Sequence, residues 1–404
     1  MVGLAVSSWI ARYLGPTQQG ILVFITSYIA VFQVIAELGT TNIVIRKMAR
    51  EPDKSGKILA SITHMRFISS FACLVSAIAL MWFWKPQDTQ SIILTSIIGA
   101  AMLFQAADTV DLWFQSQSQS KRTVTARTIA FLISNLVKIS LLLASAPLLA
   151  FAIAITLEFG VAAGGLLYGY RRFPTRCKWQ FDSNELKIIL CHSVPFLLSG
   201  CINIISINID KLIIFELLNS RQAGIYGAAF LLIGSASVIP YAISSSTAPY
   251  IARCDDTKKR NKIFENLYFA LWWSALFLLP ILFFLSDYIV LILFGDAYSD
   301  ASGVLRILSF ALIPIFLSLG NDYLSLMQQK GRMTLYRTLF GLSTLLAMLL
   351  VFTPTWGING AAIALLISHT VSNTIFFWLL MPDSMRLQLR GLTRPMINLF
   401  TSNN

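Results

Sequence analysis

Lys138, Lys211 and Arg66 stand inside stretches that are otherwise apolar for about twenty residues, and so do Asp108, Asp210, Asp322 and Glu37. An ionisable group in such surroundings is costly unless it faces protein or a wet cavity, so each is a candidate for function. Their spacing adds to this. Gln105, Asp108, Asp111 and Gln115 recur at intervals of three, three and four, which on a helix places them within an arc of roughly 120°. Ser199, Asn203, Ser206 and Asp210 recur at four, three and four, within roughly 60°. Ser318, Asp322 and Ser325, with Asn321 beside them, repeat the design, as do Gln33, Glu37 and Thr40. Four polar stripes suit helices lining one aqueous cavity. The alternative is interhelical hydrogen bonding, worth only about 0.6 kcal/mol per bond in membranes. Asp111 lies within a turn of the end of its stripe and reads as solvated. Glu158, the one acid of its segment, either pairs with Lys138 or faces the cavity.

The cations speak to the kind of cargo. Snorkelling accounts for Arg66, and for Arg12 and Arg306 at the outer mouth. It does not account for Lys138, about ten residues from either end of its segment. Asp210 and Lys211 are adjacent, point roughly 100° apart and make poor mutual partners on a helix. A ladder of cations through apolar segments suits an anionic cargo, phosphate above all. Catalytic signatures are absent. His64, His192 and His369 are isolated, and no Cys/His pattern has metal-ligand spacing. No GxxxxGK[ST] loop is present, so this chain does not itself couple transport to ATP hydrolysis. No enzyme activity, metal or cofactor is expected. A membrane glycosyltransferase would need a large outside loop carrying catalytic groups, and the longest outside gap runs only over 287–302. Gly164-Gly165 and Gly357/Gly360 read as close helix packing or turns.

The elements that must position these groups are apolar segments near 20–43, 59–84, 91–114, 128–147, 149–170, 190–217, 224–250, 266–286, 303–327, 335–353 and 358–381, preceded by a shorter piece, 1–10. Each is long enough for a hydrocarbon core of about 30 Å. With the gap after the first piece called outside, the inside gaps hold 24 of the 31 lysines and arginines, including Arg46, Lys47, Arg171, Arg172, Lys258 and Arg386. The outside gaps hold Arg12, Lys85, Arg221 and Arg306. Basic residues of short loops stay cytoplasmic, so both termini are expected there. A hydrophobic share of 56% against 12% charged residues agrees with an all-α polytopic membrane protein. The net charge of +12 follows from topology and from contact with anionic lipid, so no nucleic-acid partner is expected. None of the five cysteines falls in an outside gap, so no disulfide framework is expected. Nor does a small-residue cleavage site follow the first apolar run. A run at 288–294, too short to cross, reads as an interfacial helix, and 115–120 as a solvated turn.

A polar stretch, 171–189, divides the chain into two six-helix bundles, 1–170 and 190–404, the second ending in a cytoplasmic tail. Leu14-Gly-Pro-Thr-Gln-Gln-Gly20-Ile21 is echoed by Leu218-Asn-Ser-Arg-Gln-Ala-Gly224-Ile225, 204 positions later. Six plus six as parallel repeats implies about 12 helices around a central cavity with the substrate site between the halves. By the same offset residue 1 aligns with Ile205. The first helix is therefore shortened, either because the chain starts late or because a half-inserted helix packs on its neighbours.

Ala11-Arg12-Tyr-Leu14-Gly15-Pro16-Thr-Gln-Gln-Gly20 resembles the ARxLGPxxxG signature of the polysaccharide transport family, the O-antigen flippases of the multidrug/oligosaccharidyl-lipid/polysaccharide exporter superfamily. Glu37-Leu38-Gly39 with Arg46 and Ala49, Asp210-Lys211 through Gly224-Ile-Tyr226, and Leu293-Phe-Gly295-Asp-Ala-Tyr298 leading to Arg306 resemble later stretches of that family in order. The resemblance implies an alternating-access flippase of the bacterial inner membrane. It would turn undecaprenyl-diphosphate-linked oligosaccharide from the cytoplasmic to the periplasmic leaflet, beside a polysaccharide polymerase, a chain-length regulator and a ligase. Lys138, Lys211, Arg66, Arg12 and Arg306 would meet the diphosphate; Asp108, Asp210, Asp322 and Glu37 would bind a coupling ion. The alternatives are a cation-coupled multidrug exporter of the same superfamily, or a non-transporting membrane partner of a glycan-synthesis complex. The exporter reading wants an acid in the first helix and a cationic cargo, which Lys138 opposes.

Overall fold

The computed structural model describes residues 2–173, 179–254, 256–328 and 331–393; Arg176, Cys177, Lys178, Lys330 and Arg394 lie outside them. Every regular element among the described residues is helical: α1 (Val2–Ala36), α2 (Thr41–Arg50), α3 (Ser55–Trp84), α4 (Thr89–Gly99), α5 (Ala101–Gln105), α6 (Asp108–Ser116), α7 (Ser120–Leu143), α8 (Leu148–Arg171), α9 (Ser183–Leu217), α10 (Ser220–Ala236), α11 (Val238–Ala252), α12 (Thr257–Phe284), α13 (Ser286–Phe294), α14 (Ala301–Met327), α15 (Gly331–Thr370), α16 (Phe376–Leu380) and α17 (Pro382–Thr393). Ten helical segments among the described residues are long and apolar enough to cross a membrane. Two of them, Val2–Arg50 and Arg332–Leu380, are broken at Gly15 and Gly357, and each break divides a helix in two. That accounts for about twelve membrane helices, the expected number.

The break in α1 has a local cause. Gly15 adopts φ 73°, ψ 166°, a conformation open to glycine, and Pro16 follows as a first helical residue with its φ already set. In the second half Asn219 plays the corresponding part. It is extended, and its Oδ1 accepts the Gln222 amide at 2.8 Å to start α10. The two helix starts then meet. A Cβ on Gly20 would run into the carbonyl of Ser220, and a Cβ on Gly224 would run into the carbonyl of Pro16. Ser220 stands to Pro16 as Gly224 stands to Gly20, 204 positions on. The sequence echo is thus a reciprocal backbone contact that two glycines make feasible.

The helices group into two compact units, residues 1–20 with 209–404, and residues 21–208. This grouping cuts α1 and α9, whereas the bundles 1–170 and 190–404 follow chain order and remain a proposal about the repeats. The core of the first unit gathers Tyr226, Tyr298, Phe294 and Phe316, all fully buried. Its Tyr298 hydroxyl donates to the Ala11 carbonyl at 2.7 Å, and burial raises the phenol's pKa. In the second unit Trp113 packs edge-on to Tyr170 and Phe173 among Val44, Met48 and Ile58. Phe67, Phe71, Val75 and Trp82 stay exposed on α3, an apolar face suited to lipid.

Several expected boundaries shift. The segment 20–43 ends at Ala36, because Leu38 and Gly39 turn left-handed (φ 58° and 62°) before α2 begins. A Cβ on Gly39 would strike the α9 backbone at Ser193 and Leu197, so the turn is held close to that helix. The segment 91–114 is divided into α4, α5 and α6. The expected short helix at 288–294 is present as α13, ended by Gly295 at φ 83°. Gly165 packs on Ala126 as expected, while Gly164 has nothing within 4 Å of a Cβ.

Candidate functional site

In the unit 21–208 the left-handed turn at Leu38-Gly39 brings Thr40 and Thr41 over α3. Arg66, 3% exposed, donates from Nε and Nη2 to Thr40 Oγ1 (3.1 and 2.8 Å) and from Nη2 to Thr41 Oγ1 (3.1 Å). Snorkelling is therefore not its role, since a snorkelling head would reach solvent. Its charge is held by hydroxyls, and no carboxylate among the described residues lies within ion-pair distance of it. Glu37 and Asp108 reach it electrostatically. Glu37, at the end of α1, accepts from Gln105 Nε2 of α5, so two of the predicted polar stripes do meet. Asp108 and Asp111 share Arg127 of α7, at 3.2 and 2.8 Å. Asp111 is buried, not solvated as expected, because Arg127 and Gln115 Nε2 (3.0 Å) occupy its oxygens. Lys138 on α7 donates to Glu158 on α8 at 3.0 Å, the ion-pair alternative of the two left open.

The start of α9 is tied to the same unit. Asp182 accepts from the backbone amides of Glu185 (3.3 Å) and Asn184 (3.0 Å), which holds its carboxyl below the usual range. Its own amide donates to Ser61 Oγ at 2.8 Å, and Glu185 pairs with Lys47 of α2.

In the unit of 1–20 and 209–404, Asp210 and Lys211 are partners after all. Lys211 Nζ lies 3.2 Å from Asp210 Oδ1, and Tyr226 Oη donates to Oδ2 at 2.7 Å. The long lysine chain curls back, with its ammonium 3.6 Å from the centroid of Phe230, and so reaches a carboxylate that leaves the helix roughly 100° away. Asp210 is 0% exposed with both oxygens engaged. At the far end of this unit Arg12 reaches the Ile292 carbonyl at 3.5 Å beside Gly295, and Arg306 donates to Ser286 Oγ (2.8 Å) and to Asp287. Asp322 of α14 pairs at 2.6 Å with Arg337 of α15.

A buried polar hub went unrecognised. Asn321 Oδ1 accepts from Tyr268 Oη (2.9 Å) and Gln388 Nε2 (2.7 Å), and its Nδ2 donates to the Asn373 carbonyl (2.8 Å). Asn373 lies in a π-helical segment, Val371–Ile375, and Gln388 on α17 also accepts from Trp378 Nε1 at 2.6 Å. The signal available was Asn321 inside an apolar run. Its partners are far apart in sequence and could not be paired from spacing. Among the described residues no group of three His, Cys, Asp or Glu side chains could hold a metal ion.

The family described as polysaccharide biosynthesis protein matches residues 9–303. An uncharacterized membrane protein of Methanocaldococcus jannaschii is 28% identical over 182 residues, which cover 45% of this chain and 42% of that relative. The match thus spans less than half of the curated relative's length. Among solved structures, an inward-facing multidrug resistance MATE family transporter of the MOP superfamily superposes with TM-score 0.74 at 15% identity, over 98% of this chain and 96% of its own. The lipid II flippase MurJ in an inward closed conformation gives TM-score 0.72 at 12% identity, over 97% and 88%. A MOP superfamily transporter from Pyrococcus furiosus, described as having a binding pocket of reverse polarity, gives 0.63 at 15%, over 96% and 92%. These likenesses show a shared fold.

Proposed function

The chain belongs to the polysaccharide biosynthesis protein family, and from that membership we propose that it carries a diphosphate-linked oligosaccharide on an undecaprenyl lipid from the cytoplasmic to the outer leaflet of a bacterial inner membrane. The observation that supports this cargo is Arg66. A guanidinium that is 3% exposed and anchored by two threonine hydroxyls is, among the described residues, a cation held in place without a contacting counter-ion. Its planar fork suits a diphosphate. Lys138 and Lys211 belong to the same proposed set, but each already has a carboxylate partner, so Arg66 leads. Arg12 and Arg306 would meet the cargo at the outer end. Cationic cargo, as for a drug exporter, is disfavoured by the same buried charge.

Of the acids proposed to bind a coupling ion, Glu37 and Asp108 come first because they reach Arg66 electrostatically. They can offset its charge when no anion is bound and accept a cation when one is. Asp322 and the fully engaged Asp210 follow. The membrane lipid, a polymerase, a chain-length regulator and a ligase are the proposed partners.

Deletion of the gene should remove long surface glycan from gels and accumulate lipid-linked repeat units. Complementation with Arg66→Ala should fail at normal protein level, and Arg66→Lys, which keeps charge without the fork, should recover part of the glycan. Full complementation by Arg66→Ala would overturn the reading.

A further inference from the structure

The unit of 1–20 and 209–404 contains a cavity of about 720 Å³ that the transport reading leaves unused. Three places in the chain build it: the turn from α9 to α10, the start of α14, and the break in α15. The charge pattern puts all three on the outside face. The volume is within the range of ~300–1,000 Å³ usual for small-molecule sites.

The lining is specific in chemistry. Gln222 and Asn359 bring carboxamides, Asn219 an amide NH2 whose oxygen already caps α10, Ser302 a hydroxyl, Asp300 a carboxylate and Trp356 an indole. Asp300 occupies the start of α14 without a side-chain capping bond, so its carboxylate is not committed to the helix. The Asn359 amide lies over Gly303, where a Cβ would come within 3.3 Å of Oδ1. Gly357, at φ 60°, ψ −140°, breaks α15 directly after Trp356. Behind the break Gly360 abuts the Phe352 carbonyl, and the Phe352 ring stacks on Trp356 with centroids 5.0 Å apart. The indole is thereby stiffened while 58% exposed.

Among the described residues no lysine or arginine lines this cavity, so its lining does not favour phosphate. Carboxamides and a carboxylate offer paired donors and acceptors to neighbouring hydroxyls, and an exposed indole offers a flat face to the C–H side of a sugar ring. A tryptophan serving only as a membrane-interface anchor needs no ring of amides around it. The wall formed by Ser299, Asp300, Ser302 and Gly303 follows a connection that is longer than its counterpart in the other half. The connection between α12 and α14 carries α13 and a turn at Asp296–Tyr298, whereas that between α3 and α4 is only 85–88.

We propose that this cavity binds a neutral saccharide unit on the outer face, so that the sugar end of the cargo docks there on arrival. The identity of the sugar as part of the cargo rests on the flippase reading above.

The test uses the purified full chain in detergent and saturation-transfer NMR with free glucose, galactose, mannose, rhamnose, N-acetylglucosamine and maltose, with inorganic diphosphate as the anionic control. At least one saccharide should give ring-proton signals. These should fall about fivefold in Trp356→Ala, as expected for loss of one stacking contact, and should be largely kept in Trp356→Phe. Asn359→Ala should weaken them with an unchanged melting temperature, and diphosphate should not compete. Absence of signal from every saccharide, signals indifferent to Trp356 and Asn359, or displacement by diphosphate would overturn the proposal. The gene deletion separates the two readings. If surface glycan persists in the deletion strain while sugar binding depends on Trp356, the flippase reading fails and the sugar site stands. If the glycan is lost but binding ignores Trp356 and Asn359, only the sugar site fails.

Discussion

Lys138 and Glu158 are twenty positions apart in the chain and 3.0 Å apart in space, on neighbouring helices of the unit 21–208. Removing one member of a buried pair strands the other charge, at about 3–5 kcal/mol for full burial and less here because Glu158 keeps 31% side-chain exposure. Lys138→Ala should therefore lower the amount of protein in the membrane fraction, and Lys138→Met combined with Glu158→Gln should restore it. If the double variant is as depleted as the single one, the pair is not what holds α7 to α8. If abundance returns without surface glycan, Lys138 has a second role toward the cargo. Arg66 differs in kind, because its hydrogen bonds run to hydroxyls and substitution strands no contacting carboxylate.

Helix starts, rather than helix middles, carry the motif residues. Gly15 and Pro16 break α1, Asn219 opens α10, and the two segments touch through Gly20 and Gly224. A methyl group at either glycine must push a backbone carbonyl away, a cost of about 1–3 kcal/mol by the usual measure of overpacking. Gly20→Ala and Gly224→Ala should each lower the melting temperature in detergent by several degrees. The double variant should cost less than the sum, since both methyls open the same contact. Gly164→Ala, where a Cβ meets nothing within 4 Å, serves as the control and should melt like the wild type. Additive losses would mean that the two glycines do not share one contact. The turn at Leu38-Gly39 works in the same way, since it places Thr40 for Arg66 and Glu37 for Gln105.

For the whole molecule the distribution of lysine and arginine yields an orientation that can be checked without any knowledge of the cargo. Single cysteines at Gln87 and Asp296, in a cysteine-free background, should react with an impermeant thiol reagent in intact cells. Cysteines at Lys121 and Lys258 should react only after lysis. The reverse pattern would place the basic loops outside and overturn both the direction of transport and the outer position of the sugar cavity. All four positions are exposed, so accessibility is decided by the membrane and not by burial in the protein.

The sequence by itself determined that this is a helical membrane protein of about twelve helices, which of its loops are basic, and that its halves echo each other. These follow from properties that are local along the chain: apolar length, loop charge, and a motif repeated at a fixed offset. It also singled out Arg66, Lys138, Glu37 and Asp108, because a charge in an apolar run is visible without knowing its neighbours. Tertiary structure alone decided which partner each charge meets. Lys211 folds back on Asp210, Arg127 fills Asp111, Arg337 answers Asp322, and Asn321 joins three distant partners. Helical spacing specifies which face a side chain leaves from, but not the reach of a long side chain or which helix stands opposite. Those depend on packing between segments far apart in the chain, as does the cavity beside Trp356, which three separate turns must converge to form.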